Sequence, residues 1–296
     1  MAHPNRHPEG TTQAVMKPCD LCGGTAATPV LEKDGGTYVR CPDCQFVYTW
    51  LEGESAEDFN QDFFEQALER YVETNFSAKL QRLYAKDLRA LRSCFGGGRL
   101  LEVGCNVGGF LDCARRLGWD VTGVEPVDAC AEYARKEKGI HAVTGILEEA
   151  DLPENAFDVV YSNAVLEHIP SPSSAMAAIA RVLKPGGVVY TKTVNFDSYT
   201  REQIGLKWKL LAPHGHVSLF NGDTLSRFNE KAGLEVFRVQ SNGVRVRPGS
   251  FAGIRKGILS FLSRRTLKGD RIITWARKPS ETQMEAAARI DTEARG

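Results

Sequence analysis

The sequence predicts an α/β fold, a doubly wound and mostly parallel sheet with a small metal-held module in front of it. Three features carry that prediction. Short β-rich runs alternate with helical stretches over residues 99–279, a glycine turn joins the first of these strands to its helix, and two Cys-x-x-Cys pairs lie close together near the N-terminus. Strands alternating with helices at this spacing build βαβ units and therefore a parallel sheet.

The bulk composition suits a soluble globular chain. Of 296 residues 42% are hydrophobic and 25% charged, and Lys+Arg equals Asp+Glu at 37 each. A formal net charge of zero argues against a protein that coats nucleic acid, which carries a basic excess. No apolar run approaches the ~20 residues that span a bilayer. Residues 1–17 are polar, contain two prolines and lack the apolar centre of a secretory leader. They read as a disordered arm, and the expected address is cytoplasmic.

Cys19, Cys22, Cys41 and Cys44 have the spacing C-x2-C-x18-C-x2-C. In a reducing compartment such pairs serve as metal ligands rather than disulfides, and four thiolates make a closed tetrahedral site for structural Zn2+. Residues 18–50 are therefore read as a zinc ribbon with strands at TYVR and FVYTW. Its loop holds only Lys33 and Arg40 as basic residues, so contact with nucleic acid is not expected of it.

Residues 51–98 are read as a helical lid and linker. Eight acids and one arginine in 52–75 are interleaved with Phe59, Phe63, Phe64 and Tyr71, an amphipathic pattern. From Arg99 the period changes. LLEV, DVTGVE, HAVTG, FDVVYSN and GGVVYTKT are strands, with helices at 108–117, 127–137 and 172–182 between them. Asn221 opens a further helix that Gly233 closes. LEVFRVQ and RIITWARK are the last strands, and 280–296 is a polar tail.

The turn Leu100–Leu111 names its ligand by charge. A dinucleotide site needs G-x-G-x-x-G so that a pyrophosphate can sit on the helix N-terminus. Here the middle glycine is Asn106, and Glu102 at the strand end repels a pyrophosphate while suiting an ammonium. S-adenosylmethionine carries an ammonium and a sulfonium and no phosphate. Glu125, at the end of the next strand, can accept hydrogen bonds from both ribose hydroxyls.

Glu102-x-Gly104-x-x-x-Gly108, Glu125, the strand Phe157-Asp158-Val159-Val160, Leu166-Glu167-His168 and Leu183-Lys184-Pro185-Gly186-Gly187 together resemble the class I S-adenosylmethionine-dependent methyltransferases over about residues 60–277. The resemblance implies a seven-stranded sheet with a reversed final hairpin. It places the methionine end of the cofactor on Glu102, Gly104 and Gly108, the ribose on Glu125, and the adenine near Pro126 and Gly145-Ile146-Leu147. Asn163 is expected to face the sulfonium, Asn106 to contact the ligand, and Tyr71 to approach it from the lid.

A hydroxyl acceptor needs a base, and histidine is poised for this near neutral pH. Of six histidines, three fall in loops on the ligand side of the sheet. His216 lies in a Pro-x-x-His-x-x-x-Phe segment resembling one in small-molecule methyltransferases and is the first candidate; His168 is the second and His214 the third. Some quinol methyltransferases bind a metal through Glu-x-x-Glu-His, but Ala164 takes the first position here, so metal dependence is not expected. Ser162-Asn163-Ala164-Val165 replaces the Asn/Asp-Pro-Pro-Tyr turn of base amino-methylation, and that region has no cysteine beside a proline for cytosine C5 chemistry.

Residues 243–271 carry eight Lys/Arg and one acid. Phe251, Ile254, Ile258, Phe261 and Leu262 share one helical face near Arg255, Lys256, Arg264 and Arg265. The basic insertion, 243–269, can pack on the core, contact an anionic membrane through 251–265, or hold a phosphorylated or nucleotide-linked acceptor. The reading is an S-adenosylmethionine-dependent methyltransferase of a small molecule, O-methylating a sugar, glycan precursor or secondary metabolite. Its alternatives are an RNA-base methyltransferase clamped by the ribbon, an NAD-dependent oxidoreductase, and a non-catalytic binder of the same fold.

Overall fold

A computed structural model describes residues 17–50, 67–244, 252–280 and 282–283. The N-terminal arm, Phe59, Phe63 and Phe64 of the acidic-aromatic segment, Phe251, and most of the polar tail lie outside the described residues, as do the side chains of Ile254, Arg255 and Lys256.

The chain begins with three antiparallel strands, β1 (Thr28–Lys33), β2 (Gly36–Arg40) and β3 (Val47–Trp50). Two helices follow, α1 (Leu68–Asn75) and α2 (Ala78–Phe95), the second capped by the Ser77 hydroxyl on the Leu80 N–H. The alternating part then runs β4 (Arg99–Val103), α3 (Gly109–Arg116), β5 (Asp120–Glu125), α4 (Asp128–Lys138), β6 (His141–Thr144), β7 (Phe157–Asn163), α5 (Pro172–Val182) and β8 (Leu183–Val194). A short helix α6 (Tyr199–Ile204) leads to β9 (Ser218–Leu219) and α7 (Gly222–Lys231). The chain closes with β10 (Glu235–Asn242), α8 (Ala252–Thr266) and β11 (Arg271–Arg277).

The main sheet has seven strands in the order β10-β11-β8-β7-β4-β5-β6. The β10–β11 hairpin is present, but only β11 is reversed. It runs antiparallel to both neighbours, which leaves β10 pointing the same way as the parallel strands. The stretch Leu183–Gly187 reads from sequence as a helix stop and turn. In the structure α5 ends at Val182, and Leu183 already stands opposite Phe157, with an irregularity before Val159 pairs with Val188.

Period-2 alternation sends the strands' side chains into two cores. Leu100, Val159, Val188 and Trp275 face α2 and α3, where Leu88, Leu91 and Phe110 meet them. An aromatic ladder crosses this side: Phe110 stacks on Tyr161 at 3.8 Å, Tyr161 on Tyr190 at 5.1 Å, and Tyr190 meets Trp275 edge-on at 4.9 Å. Leu101, Val160 and Val189 face the opposite way, onto Met176 and Ile179 of α5 and onto Leu225 and Phe228 of α7.

That second core also contains the N-terminal module. Cys19, Leu21, Cys41, Cys44 and Phe46 are buried in it, and the Phe46 ring lies 5.5 Å from Phe220 and 4.9 Å from Phe228. The backbone joins too, because β9 adds to β3 as the fourth strand of the small sheet, pairing Leu219 with Val47 and Ser218 with Tyr48. Asp20 accepts the N–H and hydroxyl of Ser173 at 2.7 and 2.6 Å, and Lys33 donates to the carbonyl of Trp208.

Truncating a buried aromatic costs about 3–5 kcal/mol. Phe46→Ala is therefore expected to lower the urea midpoint of the whole chain in a single transition. An unchanged main transition would mean that the ribbon folds apart from the sheet.

Candidate functional site

The strand ends of β4 and β5 bring two buried carboxylates together. Glu102 is 7% exposed and Glu125 6%. Glu125 accepts the backbone N–H of Asn106 at 2.8 Å and of Val127 at 3.0 Å, so it pins the glycine turn to the second strand. Each of its oxygens keeps a lone pair for a ligand hydroxyl. Glu102 is less provided for, since its Oε2 is buried without a hydrogen-bond partner. Burial first, then the charge of Glu125, pushes the Glu102 carboxyl well above the usual carboxylate range. Burial also raises Glu125, with the two backbone donors opposing it.

A buried carboxylate oxygen with nothing to accept is the partner an ammonium group needs. The site thus fits the amino-acid end of S-adenosylmethionine. Gly104 and Gly108 are glycines chiefly for packing. Both have positive φ, 71° and 78°; a Cβ on Gly104 would come within 2.5 Å of Val165, and one on Gly108 within 2.7 Å of Ile140. Asn106, between them, also has positive φ at 49°, which Asn tolerates better than most residues. Its Oδ1 accepts from the Val107 N–H at 2.8 Å and from Asn75 Nδ2 at 3.3 Å. Asn106 therefore holds the turn against α1, a role the sequence did not suggest.

Tyr71 of α1 packs with Val107, Val127 and Cys130 beside this turn. Burial, then Cys130, raises its phenol pKa, with Arg70 opposing and Glu125 adding to the rise. Pro126 follows Glu125 and is half-buried. After β6, the Gly145 N–H donates to the Glu125 carbonyl at 3.0 Å, Ile146 is exposed, and Leu147 is buried in the core. Asn163 ends β7, and Ala164 turns the chain with φ 59°.

A second cluster lies beyond β7 and β8. His168, in a 3-10 turn at Leu166–His168, directs Nδ1 at the Gly215 carbonyl, 2.7 Å away; His216 directs Nδ1 at the Leu210 carbonyl, 2.8 Å away. A carbonyl can only accept, so both Nδ1 atoms carry a proton, and in the neutral ring Nε2 is the nitrogen with the lone pair. The rings meet edge-on with centroids 4.8 Å apart. Burial lowers the His216 pKa below the ordinary histidine value, with His168 and Arg271 adding to the effect and Leu210 and Glu167 opposing it. His214 is set apart. It is exposed, and its Nε2 meets the Asp34 carbonyl of the ribbon at 2.9 Å.

Glu167, fully buried, is part of a motif in the sequence but has no role assigned to it there. Its Oε2 accepts from the Thr193 hydroxyl at 2.6 Å and its Oε1 from Arg271 at 2.9 Å. Glu167, His168 and His216 offer ligand atoms within 4.8 Å of one another. With both carboxylate oxygens already engaged, a cation here would have to compete with the Arg271 pair. The signal for the group lay in Glu167-His168 read together with Arg271, 104 residues away.

The four ribbon cysteines also converge. Cys19 and Cys44 sulfurs are 3.4 Å apart, and Cys22 and Cys41 sulfurs 3.5 Å. A zinc about 2.3 Å from each of four tetrahedral sulfurs spaces them about 3.8 Å apart, so the residues fit Zn2+. Burial raises Cys19 and Cys44; at Cys22 burial acts the same way, but the Gly24 N–H and the neighbouring thiols outweigh it and the pKa falls.

Residues 69–239 match the family model described as a methyltransferase domain. The malonyl-[acyl-carrier protein] O-methyltransferase of Serratia marcescens is 30% identical over 145 residues, 49% of this chain and 56% of that protein. A ubiquinone biosynthesis O-methyltransferase of Alkalilimnicola ehrlichii is 36% identical over 44% of this chain and 59% of its own length. The chain thus spans little more than half of each of these two relatives. Among solved structures, a SAM-dependent methyltransferase from Thermotoga maritima aligns over 73% of this chain and 97% of its own, with TM-score 0.52 and 22% identity. Phosphoethanolamine N-methyltransferase 2 of Haemonchus contortus aligns over 84% and 71%, with TM-score 0.52 and 18% identity. These two support the fold alone.

Glu102→Gln is expected to weaken S-adenosylhomocysteine binding about 10- to 150-fold, the worth of a hydrogen bond to a charged group, about 1.5–3 kcal/mol. The ligand's ammonium needs the carboxylate form, so wild-type affinity falls as pH drops through the raised Glu102 value. Titration calorimetry across pH checks both, and Glu102→Gln flattens the profile. Elemental analysis of the purified protein is expected to find one zinc per chain, and Cys41→Ser is expected to abolish it.

Proposed function

The chain belongs to the class I S-adenosylmethionine-dependent methyltransferases, and from that premise we propose that it methylates an oxygen of a small molecule, with a histidine pair accepting the proton. The observation that carries this reading is the pairing of His168 and His216, each with Nδ1 fixed on a carbonyl and Nε2 left as a base. S-adenosylmethionine supplies a sulfonium methyl for in-line displacement. The residues around it do the rest. Glu102 and Glu125 orient the donor from the strand ends, while Tyr71 and α1 cover the turn and exclude water.

His216 is the principal base, because burial keeps it neutral at pH 7 and so able to take a hydroxyl proton. His168 orients it and shares the proton, and Glu167 offsets the positive charge that develops on the pair. His214 helps to hold the loop on the ribbon. Two relatives named as O-methyltransferases support an oxygen acceptor. The acceptor class is a sugar, a glycan precursor or a secondary metabolite, with zinc structural and nucleic acid no partner. The RNA-base alternative lacks the turn that presents an amino group for methylation.

Peripheral membrane contact through α8 is a second reading, favoured by one observation: Ile258 and Phe261 are 55% and 57% exposed beside exposed Arg264 and Arg265. Among the described residues no helix is long and apolar enough to cross a membrane.

Labelled methyl transfer into small-molecule fractions of a cell extract is the test of the reaction; label in RNA instead would overturn the reading. With the acceptor in hand, His216→Ala is expected to lower kcat by about 10²–10⁴. The wild-type acid limb of kcat/KM should lie below the ordinary histidine pKa of about 6.5 and disappear in that variant.

A further inference from the structure

The seam between the small sheet and the main one encloses a cavity of about 170 Å³. Arg40, the last residue of β2, enters it from the ribbon, and Asp197, Asn221 and Thr224 enter from the segments after β8 and β9. The uncharged polar groups are engaged with each other. Asn221 donates through Nδ2 to Asp197 at 2.9 Å and accepts the Thr224 N–H at 2.9 Å, while Gln45 donates to the Pro42 carbonyl at 2.8 Å.

Arg40 has no such partner. Its Nε is buried without a hydrogen bond, and its guanidinium lies over the Phe196 ring, 5.7 Å from the centroid. An arginine presents five donors, and leaving its buried Nε without an acceptor is costly. Arg201 lies over the same ring at 4.0 Å and donates to the Phe196 carbonyl. The two guanidiniums are close enough for the charge of one to act on the other. Two carboxylates act on Arg201: Asp197, whose Oδ2 already holds Asn221, and Glu202, which is itself paired with Lys268 at 2.7 Å. Among the described residues Arg40 has no ion-pair partner.

We propose that this cavity binds the oxyanion group of a small molecule, a phosphoryl or a carboxylate, with Arg40 as its main hydrogen-bond donor. The planar fork of arginine matches both groups. Arg201, over the same Phe196 ring, adds positive field, and Asp197 limits affinity. The cavity is walled in part by Leu219 and Phe220, in the segment that carries His216. The site stands on the cavity and the bare guanidinium, independently of methyl transfer.

The test is thermal unfolding of the full zinc-loaded chain in inorganic phosphate, acetate or chloride at matched ionic strength. Phosphate or acetate is expected to raise the midpoint saturably, and chloride is not. A rise with phosphate alone assigns a phosphoryl group; an equal rise with acetate assigns a carboxylate. Arg40→Gln should weaken the apparent affinity at least tenfold, with Arg40→Lys in between. Asp197→Asn should tighten it, which keeps the proposal testable if Arg40→Gln does not fold. Equal shifts in wild type and Arg40→Gln, no shift with either oxyanion, or weaker binding in Asp197→Asn would each overturn it.

Discussion

The pairing of β9 with β3 is the contact on which the arrangement of this molecule depends. Only two residues of β9 take part, yet they carry the loop of His214 and His216 onto a sheet built by the N-terminal module. Around the pairing, Thr49 N–H donates to the Val217 carbonyl at 2.8 Å and Tyr38 hydroxyl to the His216 carbonyl at 3.0 Å. A buried backbone group must find a partner, and the ribbon supplies those partners to a loop that the main sheet does not reach. The four cysteines matter to the site through this scaffold.

The molecule divides its work between two ends of one sheet edge. At β4 and β5 the turn from Glu102 to Gly108 is held by its own strands, by Glu125 and by α1. At β7 and β8 the histidine rings are held by the Gly215 and Leu210 carbonyls, and the ribbon holds the His216 carbonyl. Ligands of open α/β sheets bind at the carboxyl ends of the strands, and both clusters stand there. The first is suited to an ammonium-bearing donor. The second brings two imidazoles and a buried carboxylate together, the grouping on which the proposed proton removal rests.

The sheet was legible because its signals are local. Alternation of period 2, Gly and Pro at the turns and capping at Asn221 mark most of the strand and helix positions from Arg99 onward. Glu102 and Glu125 were legible for a similar reason, since each ends a strand next to a recognisable turn. What the sequence hides is long-range. Two residues, Ser218 and Leu219, show no strand pattern of their own, and their pairing with β3 arises from residues about 170 positions earlier. The Glu167–Arg271 ion pair spans 104 positions, and the convergence of His168 with His216 follows from how two loops fold over one sheet edge. Sequence presents these two histidines as rivals, whereas tertiary structure makes them neighbours. Asn106 is a subtler case: it bonds to Asn75, on a helix that the amphipathic pattern marks as a lid without saying which residues it meets.

The central claim is that the ribbon holds His216 in the half-buried setting that lowers its pKa while leaving the cofactor end alone. The direct measurement is an NMR titration of the His216 ring in wild type and in Cys22→Ser, whose thiol is exposed. S-adenosylhomocysteine affinity is followed in both. The account predicts that His216 titrates below the ordinary value in wild type, returns toward about 6.5 in the variant, and that cofactor affinity stays within about twofold, under 0.5 kcal/mol. An unchanged His216 titration in a variant that has lost its zinc would contradict it.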